Sequence, residues 1–339
     1  MRIARFTTGD DPRYALVQQE GDRTYLAVLT GDPLYMPVTP TGERVELGDG
    51  VRLLAPVIPR SKVVAVGRNY ADHAKEMGND VPTSPLLFLK PNTSVVGPDD
   101  PIVLPDFSQE VSYEAELAVV IGRLAKDVSP EAAPAYVLGY TVANDVTARD
   151  AQRTDGQWAR AQGFASACPR GPWIGADRNP EDVGVRSRVN GEVKQDGRTS
   201  DMIFDIPFLV SYVSEAMTLL PGDVILTGTP AGVGRIAVGD RVVCAGAGRG
   251  VLRGPVGRRG GGGDAVRAAS SRGGQAGAPS SRAWSWSCSR SSRSPPGTSP
   301  WARCWRTPSG VLSSGSGGAR WRAPRAAGGS CCWQSSGPS

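Results

Sequence analysis

The chain has 339 residues, with 38 Lys and Arg, 33 Asp and Glu, a single His and a formal net charge of +5. Twelve of the basic residues and one acid, Asp264, fall in 258–339, so residues 1–257 hold 26 basic and 32 acidic groups and a net charge of −6. A mildly acidic body excludes an electrostatic footprint for nucleic acid there, and the sequence shows neither a signal-peptide core nor an apolar run of membrane-spanning length.

Turn residues divide 1–55 into short alternating stretches, Arg2–Phe6, Tyr14–Gln18 and Thr24–Leu29, which predict a small antiparallel β unit. Pro56 to Pro59 mark a boundary. Lys62–Val66 then reads as a buried strand, 67–70 as a loop, and Ala71–Met77 as a short helix ended by Gly78. Leu86–Leu89 is a further strand leading into Lys90-Pro91. Val111–Ile121 is rich in apolar β-formers and is predicted as one strand, as is Tyr140–Val146. Asn190-Gly191 between Arg186–Val189 and Glu192–Gln195 signals a hairpin. Ile206–Met217 has helical spacing, with Ile206, Leu209, Val210, Val213 and Met217 on one side. A turn and strand over Leu220–Leu226 lead into Thr227–Gly234. The pattern is α+β, mostly strands with few helices.

From about Gly257 the composition changes. Residues 258–339 lack Lys, Glu, Asn, Ile, Phe, Tyr, His and Met, and show neither helical nor strand periodicity. Such a segment is expected to be disordered, because it cannot bury enough apolar surface to offset chain entropy. Its residue types are largely those of GC-rich codons, which points to a frameshift; the rival reading is an Arg/Gly/Ser arm that binds nucleic acid. The expected organisation is a β domain over 1–55, a catalytic domain over 56–257 and the tail. Only Cys168 and Cys244 lie in the body, with no disulfide framework or zinc spacing, so a reducing cytoplasm is the default.

On a strand, Glu114 and Glu116 point to the same face. Adjacent carboxylates repel, and a hard divalent cation is the natural counter-charge, with Asp145 able to supply a third oxygen. The alternative is a pair of solvated acids on an exposed face. His73 and Glu76, three residues apart on the short helix, share a face. They suit a general base oriented by a carboxylate, or a solvated polar face.

Six segments occur in an order that resembles the fumarylacetoacetate hydrolase family. They are Gly67-Arg-Asn-Tyr-Ala-Asp-His-Ala-Lys-Glu76, Phe88-Leu-Lys-Pro91, Tyr113-Glu-Ala-Glu116, Gly139-Tyr-Thr-Val-Ala-Asn-Asp-Val-Thr-Ala-Arg-Asp150, Thr199-Ser-Asp-Met-Ile203 and Gly228-Thr-Pro-Ala-Gly-Val-Gly234. The resemblance covers about residues 56–256, and Gly250–Val256 looks like the family's closing strand. It implies a mixed β-roll, a usual homodimer, and one Mg²⁺ or Mn²⁺ held by Glu114, Glu116 and Asp145. It also implies a catalytic His73–Glu76 dyad on a mobile lid. Arg149, Gln152 and Thr229 match positions that line the substrate pocket; Arg68 and Lys90 fall in matching motifs, with Lys90 equally suited to partner a carboxylate.

Members commonly read Arg-Ala-Lys-Gly-Phe-Asp where this chain reads Arg160-Ala-Gln-Gly-Phe-Ala165. Gln162 still donates a hydrogen bond but brings no charge, which implies weaker carboxylate binding or a different substrate. Arg170 stands where small apolar residues are usual. The resemblance implies enolate chemistry on a 2-oxo acid or hydroxy-dienoate, with a bacterial 2-hydroxyhepta-2,4-diene-1,7-dioate isomerase as the first expectation. Acylpyruvate C–C hydrolysis, oxaloacetate decarboxylation and a catalytically weakened metal-binding member are the alternatives. The expected partner of the body is a small molecule, not nucleic acid or a membrane.

Overall fold

A computed structural model describes residues 1–78, 80–176, 179–246 and 250–258. The predicted disorder of the tail therefore lies, except for Arg258, outside the described residues.

The fold is a mixed β-roll with few helices, as the sequence leads one to expect. Its largest sheet runs in spatial order 40–46, 23–29, 13–20, 2–7, 168–175, 137–144, 115–121, 224–226, 63–67 and 86–90. Two short strands, Arg52–Leu54 and Val95–Val96, join its sides. The N-terminal strands are thus the outer part of the main sheet, because Arg2–Thr7 pairs with Cys168–Gly175. A five-stranded sheet holds 192–198, 184–189, 241–246, 250–258 and 102–104 in that order. Between the two sheets lies the largest core, built on Leu117, Val119, Ile121, Val185, Val242 and Leu252. Each such side chain contributes about 1.5–3 kcal/mol on burial. Among the described residues, no helix is long and apolar enough to cross a membrane.

Local chemistry explains the predicted elements. Asn190 and Gly191 both have positive φ, 52° and 90°, as the two-residue turn between Gly184–Val189 and Glu192–Arg198 requires. The helix Ile206–Ala216 is capped by Asp205, whose side chain accepts the Phe208 N–H, and it buries Ile206, Leu209, Val210 and Val213.

One prediction is corrected. Val111–Ile121 is two strands, Val111–Tyr113 and Ala115–Ile121, in different sheets. The first pairs with Thr147–Ala148 and Gly234–Arg235, the second with Val137–Asn144 and Val224–Leu226. Glu114 sits in the break. Asparagine chemistry holds it there: Asn144 Oδ1 accepts the Glu114 N–H at 2.9 Å, and the Asp145 N–H donates to the Glu114 carbonyl at 2.8 Å. Both chains leave the main sheet at this point, so Asp145 lies just past its strand rather than on it.

Candidate active site

Glu114, Glu116 and Asp145 converge where these two chains part, all three buried. One oxygen from each can be chosen so that the three lie within 4.8 Å of one another. Two cations face them. Arg149 Nη2 pairs with Glu114 Oε1, and Lys90 Nζ lies 2.5 Å from Asp145 Oδ1. Glu116 Oε2 accepts the Gly228 N–H at 2.8 Å. Burial, then the charges of Asp145 and Glu114, push the Glu116 carboxyl well above its ordinary range. Burial likewise raises Asp145 to about 6, although Lys90 acts in the opposite direction. Three clustered carboxylates against two cations leave uncompensated negative charge, and hard oxygen donors are the set that suits Mg²⁺ or Mn²⁺. The residues present fit such an ion.

The cluster forms one end of a cavity of about 380 Å³, also lined by Arg68, His73, Arg149, Gln152, Gln162 and Thr229. His73 comes from the helix Ala71–Glu76 and is buried, with Nε2 3.7 Å from Glu114 Oε1. Its Nδ1 lies 3.5 Å from Glu76 Oε2 without forming a hydrogen bond. Arg149 also donates to Gln152 Oε1 at 3.0 Å. Arg68 has a positive φ of 59°, a strained conformation for a side-chain-bearing residue, and makes no ion pair among the described residues.

Two expected substrate residues have their polar groups bonded within the protein, although Thr229 also lines the cavity. Lys90 is buried behind the cluster; its Nζ bonds Asp145 and, at 2.9 Å, Gln162 Oε1, so it serves as a carboxylate partner. The Thr229 hydroxyl donates to the Ala115 carbonyl at 2.9 Å and accepts from Gln195 Nε2 at 2.7 Å. Gln162 Oε1 accepts from both Lys90 and Thr147, which turns its amide N–H₂ to the remaining space.

Sequence reasoning missed the apolar wall and the supports. Trp158 meets Phe88 edge to face at 5.3 Å between ring centroids, and both line the cavity with Val66 and Met77. Trp158 lies between two short helices, Arg149–Thr154 and Ala159–Gly163, where no periodic signal reveals its direction. Gln195 is buried in an otherwise exposed hairpin strand, and only tertiary packing distinguishes it from its neighbours.

Residues 62–257 match the family described as fumarylacetoacetate (FAA) hydrolase C-terminal, and residues 1–56 match Rv2993c-like, N-terminal. The structure of 2-hydroxyhepta-2,4-diene-1,7-dioate isomerase from Mycobacterium marinum aligns with a TM-score of 0.71 and 48% identity, covering 77% of this chain and 99% of that one. Human mitochondrial oxaloacetate tautomerase FAHD2A is 43% identical over 238 residues, 67% of this chain and 74% of that protein. The structure of fumarylpyruvate hydrolase from Pseudomonas aeruginosa, in complex with Mn²⁺ and pyruvate, aligns with a TM-score of 0.57 and 34% identity, covering 63% of this chain and 94% of that one. With more than half of its length matched and its fold shared with these proteins, this chain belongs to the fumarylacetoacetate hydrolase family.

Proposed function

We propose that the protein is a divalent-cation-dependent isomerase of hydroxy-dienoate or 2-oxo acids in aromatic-compound catabolism, acting as a cytoplasmic homodimer. The observation that carries this reading is the buried Glu114–Glu116–Asp145 cluster sharing one cavity with the only histidine of the chain. Glu114, Glu116 and Asp145 would hold Mg²⁺ or Mn²⁺, which would supply Lewis acidity toward the carboxylate and 2-oxo oxygens of a substrate.

The other tasks fall to the chain's own side chains. His73 Nε2, on the cluster side, takes a proton from one substrate carbon and returns it to another, which moves a double bond without changing composition. Arg149, steadied by Gln152, and Arg68, which has no ion pair among the described residues, offer guanidinium groups to carboxylates. The Gln162 amide offers a neutral donor beside them. Phe88, Trp158, Met77 and Val66 give a conjugated chain an apolar wall and limit water at the reacting carbons.

A second reading, C–C hydrolysis of an acylpyruvate, is supported by His73 standing beside the acidic cluster in the same cavity, since an imidazole base there also activates water. A panel of hydroxy-diene dioates, acylpyruvates and oxaloacetate, each with and without Mg²⁺ and with products identified, tests both. An isomer of unchanged mass formed only with Mg²⁺ is the expected result. Pyruvate release means hydrolysis and CO₂ release means decarboxylation. No turnover by a cation-loaded protein sinks the enzyme reading in favour of a weakened, metal-binding member.

A further inference from the structure

The helix Ala71–Glu76 that carries His73 has only six residues, too few to be stable alone. Its last side chain reaches across the site. Both Glu76 carboxylate oxygens accept the Gly232 N–H, at 3.0 and 3.2 Å. His73 Nδ1, 3.5 Å from Glu76 Oε2, makes no hydrogen bond among the described residues and is closed off from solvent. In this conformation the carboxylate serves Gly232 rather than the imidazole.

Gly232 is held ready for that bond. Its φ is +98°, and a Cβ there would come within 2.0 Å of the Lys194 carbonyl, so a side chain is excluded. Its own carbonyl accepts the Tyr113 hydroxyl at 2.8 Å. Gln195 fixes the residues before it, donating to Thr229 Oγ1 at 2.7 Å and to the Pro230 carbonyl at 2.8 Å, while its Oε1 accepts the Ala115 N–H. At the other end of the same turn, Gly228 N–H donates to Glu116. One pinned stretch of backbone therefore touches the acidic cluster at Gly228 and the His73 helix at Gly232.

We propose that Glu76 is a positioning residue, a latch that fastens the His73 helix to the turn through the Gly232 amide. The turn in addition couples this latch to Glu116, so that a divalent cation in the cluster tightens the helix over the cavity. Only the coupling rests on the proposed cation site; the latch stands on the protein alone.

Hydrogen exchange over 71–77 in the full chain reads the latch, and the NMR signal of the single imidazole reports His73 placement. Without metal, Glu76→Ala is expected to speed exchange there by about tenfold or more, the effect of losing one charge-assisted hydrogen bond. It also shifts the imidazole signal. Tyr113→Phe, altered at the far side of Gly232, is expected to loosen the same segment by a smaller factor. Glu76→Gln keeps an oxygen acceptor for Gly232 and restores most of the protection. Saturating Mg²⁺ slows exchange over 71–77 in the wild type but not in Glu76→Ala, and calorimetry gives the wild type the tighter Mg²⁺ binding, as reciprocal coupling requires.

Unchanged protection in Glu76→Ala overturns the latch. So does Glu76→Gln as loose as Glu76→Ala, which would mean that the carboxylate acts by its charge on His73. No effect of Tyr113→Phe overturns the role of the pinned turn. Mg²⁺ that binds the wild type without slowing exchange overturns the coupling. If the wild type binds no Mg²⁺, the cation reading fails, and the metal-free comparison still decides the latch.

Discussion

At the scale of single residues, the cluster and its base give separable expectations. Glu116→Ala should abolish Mn²⁺ binding and turnover together, because it removes one of three clustered oxygen ligands. Calorimetry showing unchanged Mn²⁺ affinity in this variant, and in Glu114→Ala and Asp145→Ala, refutes the metal site. His73→Ala should instead lower kcat by about 10²–10⁴ while Mn²⁺ affinity stays near wild type, as for a lost general base. Wild-type turnover by a folded, cation-loaded variant rules that role out. Arg170 tests the opposite kind of effect. Its side chain is fully buried; among the described residues Nε and Nη1 have no partner, and Nη2 reaches only the Val57 carbonyl at 3.3 Å. Burial pushes its guanidinium below the ordinary pKa, Cys168 acting weakly against this. Arg170→Leu should therefore stabilise the fold, by about 1–4 kcal/mol, the range for replacing buried ionic groups with well-packed apolar ones. A lower Tm in thermal unfolding would show that the guanidinium has a compensating contact.

At the scale of elements, Asp223 joins the turn before Val224–Leu226 to the start of Val63–Gly67. Its buried carboxylate accepts from the Ser61 hydroxyl, the Lys62 N–H and Nζ, and the Leu220 N–H. Burial raises its pKa, but these donors outweigh it and hold the carboxyl below the usual range. For an acid with a depressed folded pKa, the stabilisation is fully present above the unfolded value, near 4. It is lost as pH falls through the lower folded value. Asp223→Ala should cost about 3–5 kcal/mol at pH 7, as for one half of a broken buried pair. The gap from wild type should narrow as pH drops below about 4, by the part that the depressed carboxyl pKa contributes. A constant gap from pH 7 to pH 3 in denaturant unfolding contradicts this account. The break at Glu114 shows the same principle, with Asn144 and backbone donors rather than strand propensity setting where an element ends.

At the scale of the whole molecule, the outer strands 1–46 complete a sheet that begins at the active-site strands, so the N-terminal β unit and the catalytic part share hydrogen bonds through Arg2–Thr7 and Cys168–Gly175. The last described strand, Gly250–Arg258, pairs with both Arg241–Gly246 and Ile102–Leu104. A chain ending at Arg258 should keep its fold and cation affinity, since it retains all the described residues of the site and cores. A chain ending at Gly246 should lose stability, because it unpairs both neighbours. Circular dichroism melts and Mn²⁺ titration of the two truncations decide the matter; loss of folding in the longer one would assign the tail a structural role.

Much of this was legible in the sequence. Alternation and turn residues marked the strands and the Asn190-Gly191 hairpin, helical spacing marked Ile206–Ala216, and the motifs brought His73, Glu114, Glu116, Asp145 and Arg149 to notice as one set. Those features are local, because side-chain period and turn chemistry are written in adjacent residues. Tertiary structure alone decided the rest. Lys90 faces Asp145 across 55 residues, Gln195 pins Thr229 across 34, and Glu76 reaches Gly232 across 156. The sheet crossing at Glu114 and the Trp158–Phe88 wall have the same origin. Each depends on which distant strands pair and in what register, and polar residues such as these have no periodicity that announces their partner.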